Sequence, residues 1–150
     1  PYVPMEAPMY LKGKSRRGPS FREAILMHSV SRIAFKGLIN NIQTSWVKMG
    51  QEGVQACLNA GANDIGGTLM NESITRAAGA DHGQEWHPQG IEETIISMGR
   101  IPKMRTTSYD EAPQSRRELA FRASTLKQVE NTAAAKLQRS KKLDNIAQVL

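Results

Sequence analysis

Apolar positions along this chain recur first at helical and then at strand spacing. Leu26, Val30, Ile33 and Ala34 follow one another as one helix face does. Ser20, with Glu23 three residues on, supplies a capping box at the start of that helix, and Gly37 offers a left-handed residue at its end. From Ile42 to Val47 the period drops to two. Ile42, Thr44 and Trp46 would share one side of a short strand, with Gln43 and Ser45 on the other. Gln51 to Ala60 predicts a second helix that buries Val54, Cys57 and Leu58 and stops at Gly61, and Ala62 to Thr68 predicts a second short strand carrying a glycine pair.

Thr68 is placed to cap a third helix, buried through Met70, Ile74 and Ala77 and stopped by Gly79. Pro88 suits the first turn of a fourth, with Ile91, Ile95 and Met98 in register and Gly99 at its end. Between Gln114 and Leu150 there is neither glycine nor proline. Leu119, Leu126, Val129, Ala133 and Leu137 lie roughly on one stripe there, which predicts a long amphipathic helix. Residues 1–19, with four prolines and two glycines, predict a loop.

Helix, strand, helix, strand, helix is the alternation of a parallel α/β unit. Two strands cannot close a barrel, and a whole (β/α)₈ barrel takes roughly 250 residues. The 150 residues therefore predict a piece of such a fold, and a first residue of proline predicts a chain that begins mid-protein. The expected division is residues 1–109 as the strands with their cap and 110–150 as a charged helical extension.

Composition narrows the chemistry. The single cysteine, Cys57, excludes an internal disulfide and points to a reducing compartment, the cytoplasm or an organelle matrix. It also excludes an iron–sulfur cluster held by this chain alone, because such clusters take several thiolates. No apolar run approaches a membrane span. The net charge of +6 gathers at Lys12–Arg22 and in residues 110–150, which hold eight Lys or Arg against five Asp or Glu. The stretch Lys12–Arg17 lacks interleaved aromatics beyond Tyr10, which argues against a nucleic-acid surface and for a solvated loop. A small basic binding module remains the alternative that charge and the helical tail alone would support.

Three segments carry a resemblance. They are APMYLKGKSRRGPSFREAILMHSVSRIA (7–34), NIQTSWVKMG (41–50) and ACLNAGANDIGGTLMNESITRAAGADHGQ (56–84), the last continued by GRIPKMRTTSY (99–109). Together they resemble the C-terminal part of the tyrosine-transferring half of the FO synthase family of radical S-adenosylmethionine enzymes, with related menaquinone-pathway radical enzymes as the nearest competitor. The resemblance implies a radical-SAM (β/α) barrel. It also implies S-adenosylmethionine and a 4Fe-4S cluster as cofactors, and L-tyrosine and 5-amino-6-(D-ribitylamino)uracil as substrates. The partners it implies are a missing N-terminal barrel portion and a cyclase half, fused or separate. The reaction implied is transfer of tyrosine's 4-hydroxybenzyl group to the uracil on the way to 8-hydroxy-5-deazaflavin. Two features depart from the family: its CxxxCxxC cluster motif is absent, and Pro4 stands where a histidine usually precedes the MEAP-like segment.

In a barrel the active site lies at the C-terminal ends of the strands. Gln43 and Ser45 would then point inward, either to hydrogen-bond the uracil or ribityl chain or to satisfy neighbouring strands. Asn63, Asp64, Gly66, Gly67 and Thr68 would let substrate or S-adenosylmethionine approach the backbone; the plainer reading is a strand-to-helix turn, with Asp64 as a cap or paired with Arg105. Asp81, His82, Glu85 and His87 are metal-ligand residue types, but their spacing fits no single helical face. His82 is retained as a substrate-facing group, and His28 as a partly buried helix residue. No metal ligand and no individual catalytic residue is assigned.

Overall fold

The computed structural model describes residues 8–16, 18–69, 72–77 and 82–127. Expectations that fall on Met70, Gly79, Asp81 and the tail beyond residue 127 lie outside the described residues. The elements are helices α1 (Pro8–Leu11), α2 (Phe21–Ala34), α3 (Trp46–Asn59), α4 (Ile74–Ala77), α5 (Pro88–Ser97) and α6 (Gln114–Arg122).

The capping box forms as its sequence predicts. Ser20 Oγ accepts from the Glu23 amide at 3.2 Å, and the Ser20 amide donates to Glu23 Oε2 at 2.7 Å. Gly37 takes φ 80° in the turns that follow α2. Its apolar stripe behaves otherwise: Leu26, Val30 and Ile33 are 49%, 57% and 77% exposed. The face that packs on α3 is the adjacent one. Ile25 lies against the core and the His28 ring reaches Cys57 Sγ at 3.6 Å.

Helix α3 supplies most of the core. Val54, Cys57 and Leu58 are buried together with Trp46, Val47, Ala62 and Ile65. Trp86, Ile91, Ile95 and Met98 close over them from the α5 side, Trp46 meeting Trp86 edge to face at 6.0 Å. Gly50 interrupts α3 with φ 66° and ψ 178°, a conformation open essentially only to glycine. At Gly53 a Cβ would sit 2.8 Å from that of Met49 in the same helix, so the missing side chain accommodates the break at Gly50, with the Phe21 ring of α2 in ordinary contact at 3.4 Å.

Four expectations are corrected. The two strands shrink to one parallel bridge, Gln43 to Asp64, with Thr44 N donating to Asp64 O at 2.8 Å and Asn63 N to Ile42 O at 3.0 Å. The pairing stops early because the Ser45 carbonyl accepts from Lys48 N and Met49 N, which rolls Trp46 and Val47 into a helical turn. The third helix begins at Ile74, not after Thr68, because both Glu72 carboxylate oxygens accept from Thr75 N and cap it there. Ile74, expected in its buried stripe, is 58% exposed. The long C-terminal helix ends at Arg122 and turns extended at Ala123. Side chains of the 84–87 loop hold the backbone beyond it: Gln84 donates to Lys127 O at 2.7 Å, Glu85 accepts from Leu126 N at 2.8 Å, and His87 Nε2 lies 3.0 Å from Ala123 O. A polar grip of this kind outcompetes the weak propagation of a surface helix.

Candidate functional site

Alternation in the first paired segment places its polar side chains on the open face. Thr44 and Trp46 are buried toward the helices, whereas Gln43 and Ser45 are exposed on the opposite side. The turn after the second paired segment brings Gly66 beneath Gln43. Gly66 has φ 85°, which favours glycine, and a Cβ there would stand 2.5 Å from Gln43 Nε2, so the flexible end of that side chain would have to shift. Gly67, exposed, turns its carbonyl to the Trp46 indole N–H at 2.9 Å. Gln43, Gly66 and Gly67 are thus gathered, with Ser45 on the same face. Thr68 follows, exposed and outside any helix.

Asp64 and Asn63 are committed to the frame. The Asp64 side chain is only 8% exposed; Arg105 Nη2 and Nε both reach its Oδ2, at 2.6 and 2.9 Å, and its Oδ1 accepts from Gly66 N at 2.8 Å. Asp64 thus both pairs with Arg105 and caps the turn at Gly66 N. Asn63 Oδ1 accepts from Ile42 N at 2.8 Å and from Arg32 Nη2 at 2.7 Å, while its amide donates to Asn40 O and Asn41 Oδ1. Arg32 also donates to Gly61 O and Asn40 O, tying α2 to the start of both paired segments.

His82 stands elsewhere, its ring over Gly50, where a Cβ would come within 3.1 Å. Its neighbours in sequence serve the fold: Glu85 grips the chain at Leu126, and His87 Nδ1 accepts from Gln89 N at the start of α5. Among the described residues no group of three or more His, Cys, Asp or Glu is arranged to hold a metal ion. Cys57 is free and fully buried.

Sequence reasoning missed the Arg32 hub, the break at Gly50 and the backbone of Tyr109, the single non-glycine residue with positive φ (67°) among those described. Long polar side chains at helix-face positions carry no periodic signal, so Arg32 was invisible. The glycines in VKMGQEG were the available hint for the break.

Residues 10–118 match the family model described as CofH/MqnC C-terminal region. The chain is 52% identical over 103 residues to the 5-amino-6-(D-ribitylamino)uracil–L-tyrosine 4-hydroxyphenyl transferase of Methanocaldococcus jannaschii, which covers 69% of this chain and 29% of that protein. It is 48% identical over 109 residues to the transferase of the same name from Methanopyrus kandleri, covering 73% and 30%. To the FO synthase of Mycobacterium leprae it is 45% identical over 109 residues, covering 73% and 13%. The chain spans less than a third of the length of these relatives. No solved structure matches it. With more than two thirds of its residues inside that match, the chain belongs to the CofH/MqnC C-terminal region family.

Proposed function

We propose that this chain is the C-terminal region of a radical S-adenosylmethionine transferase that joins the 4-hydroxybenzyl group of L-tyrosine to 5-amino-6-(D-ribitylamino)uracil. The observation that carries the reading is the 52% identity to a transferase of that name, over a match of 103 residues. In the parent enzyme S-adenosylmethionine and a 4Fe-4S cluster would supply the radical chemistry. The donors described in this chain do not suit such a cluster, so its ligands belong to another part of the parent, and this chain alone should be inactive.

The role left to these residues is to bind and orient. The Gln43 amide presents a donor and an acceptor side by side, which is the complement of a uracil imide edge. Ser45 on the same face suits the uracil or the ribityl hydroxyls. The Gly66–Gly67 turn keeps the surface beside them free of Cβ atoms. Asp64 and Asn63, held by Arg105 and Arg32, serve this reading as supports. Thr68 and His82 remain candidates for the rim. The family description also names MqnC, and a related menaquinone-pathway radical enzyme is the second reading. The family match runs on to residue 118, and we place the residues after it outside the chemistry.

The test is the parent enzyme, reconstituted without oxygen and given both substrates. Coupled product from tyrosine and the ribitylaminouracil is expected. Gln43→Ala should lower coupling by about ten- to a hundredfold with the melting temperature unchanged, since misplacement by about 1 Å costs rate on that scale. A parent that cleaves S-adenosylmethionine but leaves tyrosine and the uracil untouched would shift the assignment to the menaquinone-type reading.

A further inference from the structure

Arg105 and Tyr109 sit in a small hairpin-like loop, closed by an antiparallel bridge from Arg105 to Glu111 and by Ala112 N donating to Met104 O at 3.0 Å. The loop reaches back across the sequence to the turn beneath Gln43. The Arg105 guanidinium carbon lies 4.2 Å from the centre of the Tyr109 ring, and Nη1 donates to Thr106 O at 3.0 Å. Its other edge grips Asp64, whose second oxygen holds the Gly66 amide. The Gly66 turn lies directly beneath the Gln43 amide, where a Cβ would stand 2.5 Å from Nε2, and the Asp64 carbonyl holds the neighbouring Thr44 N at 2.8 Å. Tyr109 keeps this place at the cost of a left-handed backbone, and strain of that kind persists only where surrounding contacts over-determine it.

We infer that Arg105 and Tyr109 are positioning residues for the uracil substrate, acting through Asp64 and Gly66 to fix where the Gln43 amide points. The inference rests on the transferase reading above. Chemistry favours arginine here over any other cation. A planar guanidinium grips one carboxylate oxygen through two N–H groups while stacking on a ring, and a lysine ammonium does not reproduce both. Loss of either contact frees Asp64 to rotate, and with it the amide that shapes the turn.

The experiment uses the reconstituted full-length parent enzyme, with Arg105→Lys and Tyr109→Asn compared to wild type. Asparagine tolerates positive φ, so the second variant removes the ring without adding backbone strain. Four quantities are measured: KM for the ribitylaminouracil, KM for tyrosine, melting temperature, and equilibrium binding of the ribitylaminouracil before cofactors are loaded. Arg105→Lys should raise the uracil KM and Kd about tenfold or more, with the tyrosine KM within about twofold of wild type. Tyr109→Asn should shift the same two quantities in the same direction by less. If Arg105→Lys fails to fold, Tyr109→Asn decides alone. Both KM values moving together with the melting temperature, or neither moving, overturns the inference. A wild-type parent that neither binds nor turns over the uracil overturns the transferase reading instead, and the two failures are distinguishable.

Discussion

Helices α2 and α3 both carry apolar residues at helical spacing, and each is 14 residues long. In α3 the stripe of Val54, Cys57 and Leu58 is at most 5% exposed. In α2 the corresponding residues Leu26, Val30 and Ile33 lie open, and the side that meets α3 is built instead from Ile25, His28 and Arg32. Periodicity marks which positions need cover and says nothing of where the cover comes from. For α3 it comes from within the chain, through Ala62, Ile65, Trp86 and the α5 face. For α2 we expect it from the remainder of the parent enzyme, since the relatives are more than three times as long as the matched segment.

The same substitution in the two stripes should therefore give the largest contrast available. Val54→Asp places a carboxylate at a fully buried position inside the apolar core cluster. That should cost more than about 4 kcal/mol and abolish the cooperative melt of this chain. Ile33→Asp, at 77% exposure, should stay within about 0.5 kcal/mol of wild type here. In the full-length parent the second variant should become destabilising by roughly 2 kcal/mol or more, as a covered apolar position would. Thermal melting of both variants in both contexts measures the contrast. An Ile33→Asp variant that is equally mild in the parent would mean that α2 stays bare there.

Much of the architecture was legible because it rests on short-range rules. The capping box at Ser20 and Glu23, the α5 start at Pro88, the α3 stripe and the opposite facing of Gln43 and Thr44 each depend on neighbours within a few residues. What failed depended on distant partners. Nothing near Arg122 announces a helix end; the cause is a set of side chains at 84–87, about forty positions earlier. The helix starts beside Glu72 and not at Thr68 because the Glu72 carboxylate is the acceptor in reach of Thr75 N in its first turn. The site divided in the same way. Side-chain facing and the glycine pair followed from local spacing, whereas the engagement of Asn63 by Arg32 needed the fold.

The contact between α2 and the paired segments sets an intermediate effect. Arg32→Ala removes the donors that Gly61 O, Asn40 O and Asn63 Oδ1 share. The expected cost is roughly 1–3 kcal/mol, since part of that network is shielded and part is wet. Hydrogen exchange should quicken at the Asn63 and Thr44 amides, which pair the two segments, before it quickens in α3. Equal quickening in α3 would make Arg32 a determinant of the whole core and not of the joint.

The smallest effect lies at the open end of α2. Arg16 Nη1 reaches Glu23 Oε1 at 2.7 Å, and this bond, followed by those from the Ser20 backbone and side chain, lowers the Glu23 pKa from 4.5 to about 2. A carboxyl whose folded pKa is depressed stabilises the fold above its unfolded pKa, and that contribution fades as pH falls from about 4.5 toward 2. Glu23→Gln keeps an acceptor for the Ser20 amide but loses the charge. The melting difference between wild type and Glu23→Gln should thus be constant above about pH 5 and vanish near pH 2. Because the Arg16–Glu23 pair lies at the surface, the difference should be small and should shrink in about 1 M salt, where screening acts over about 3 Å. Titration of the Glu23 side chain by NMR gives the direct measurement. A midpoint near 4.5 would show that the Arg16 contact does not persist in solution and that the capping box alone starts the helix.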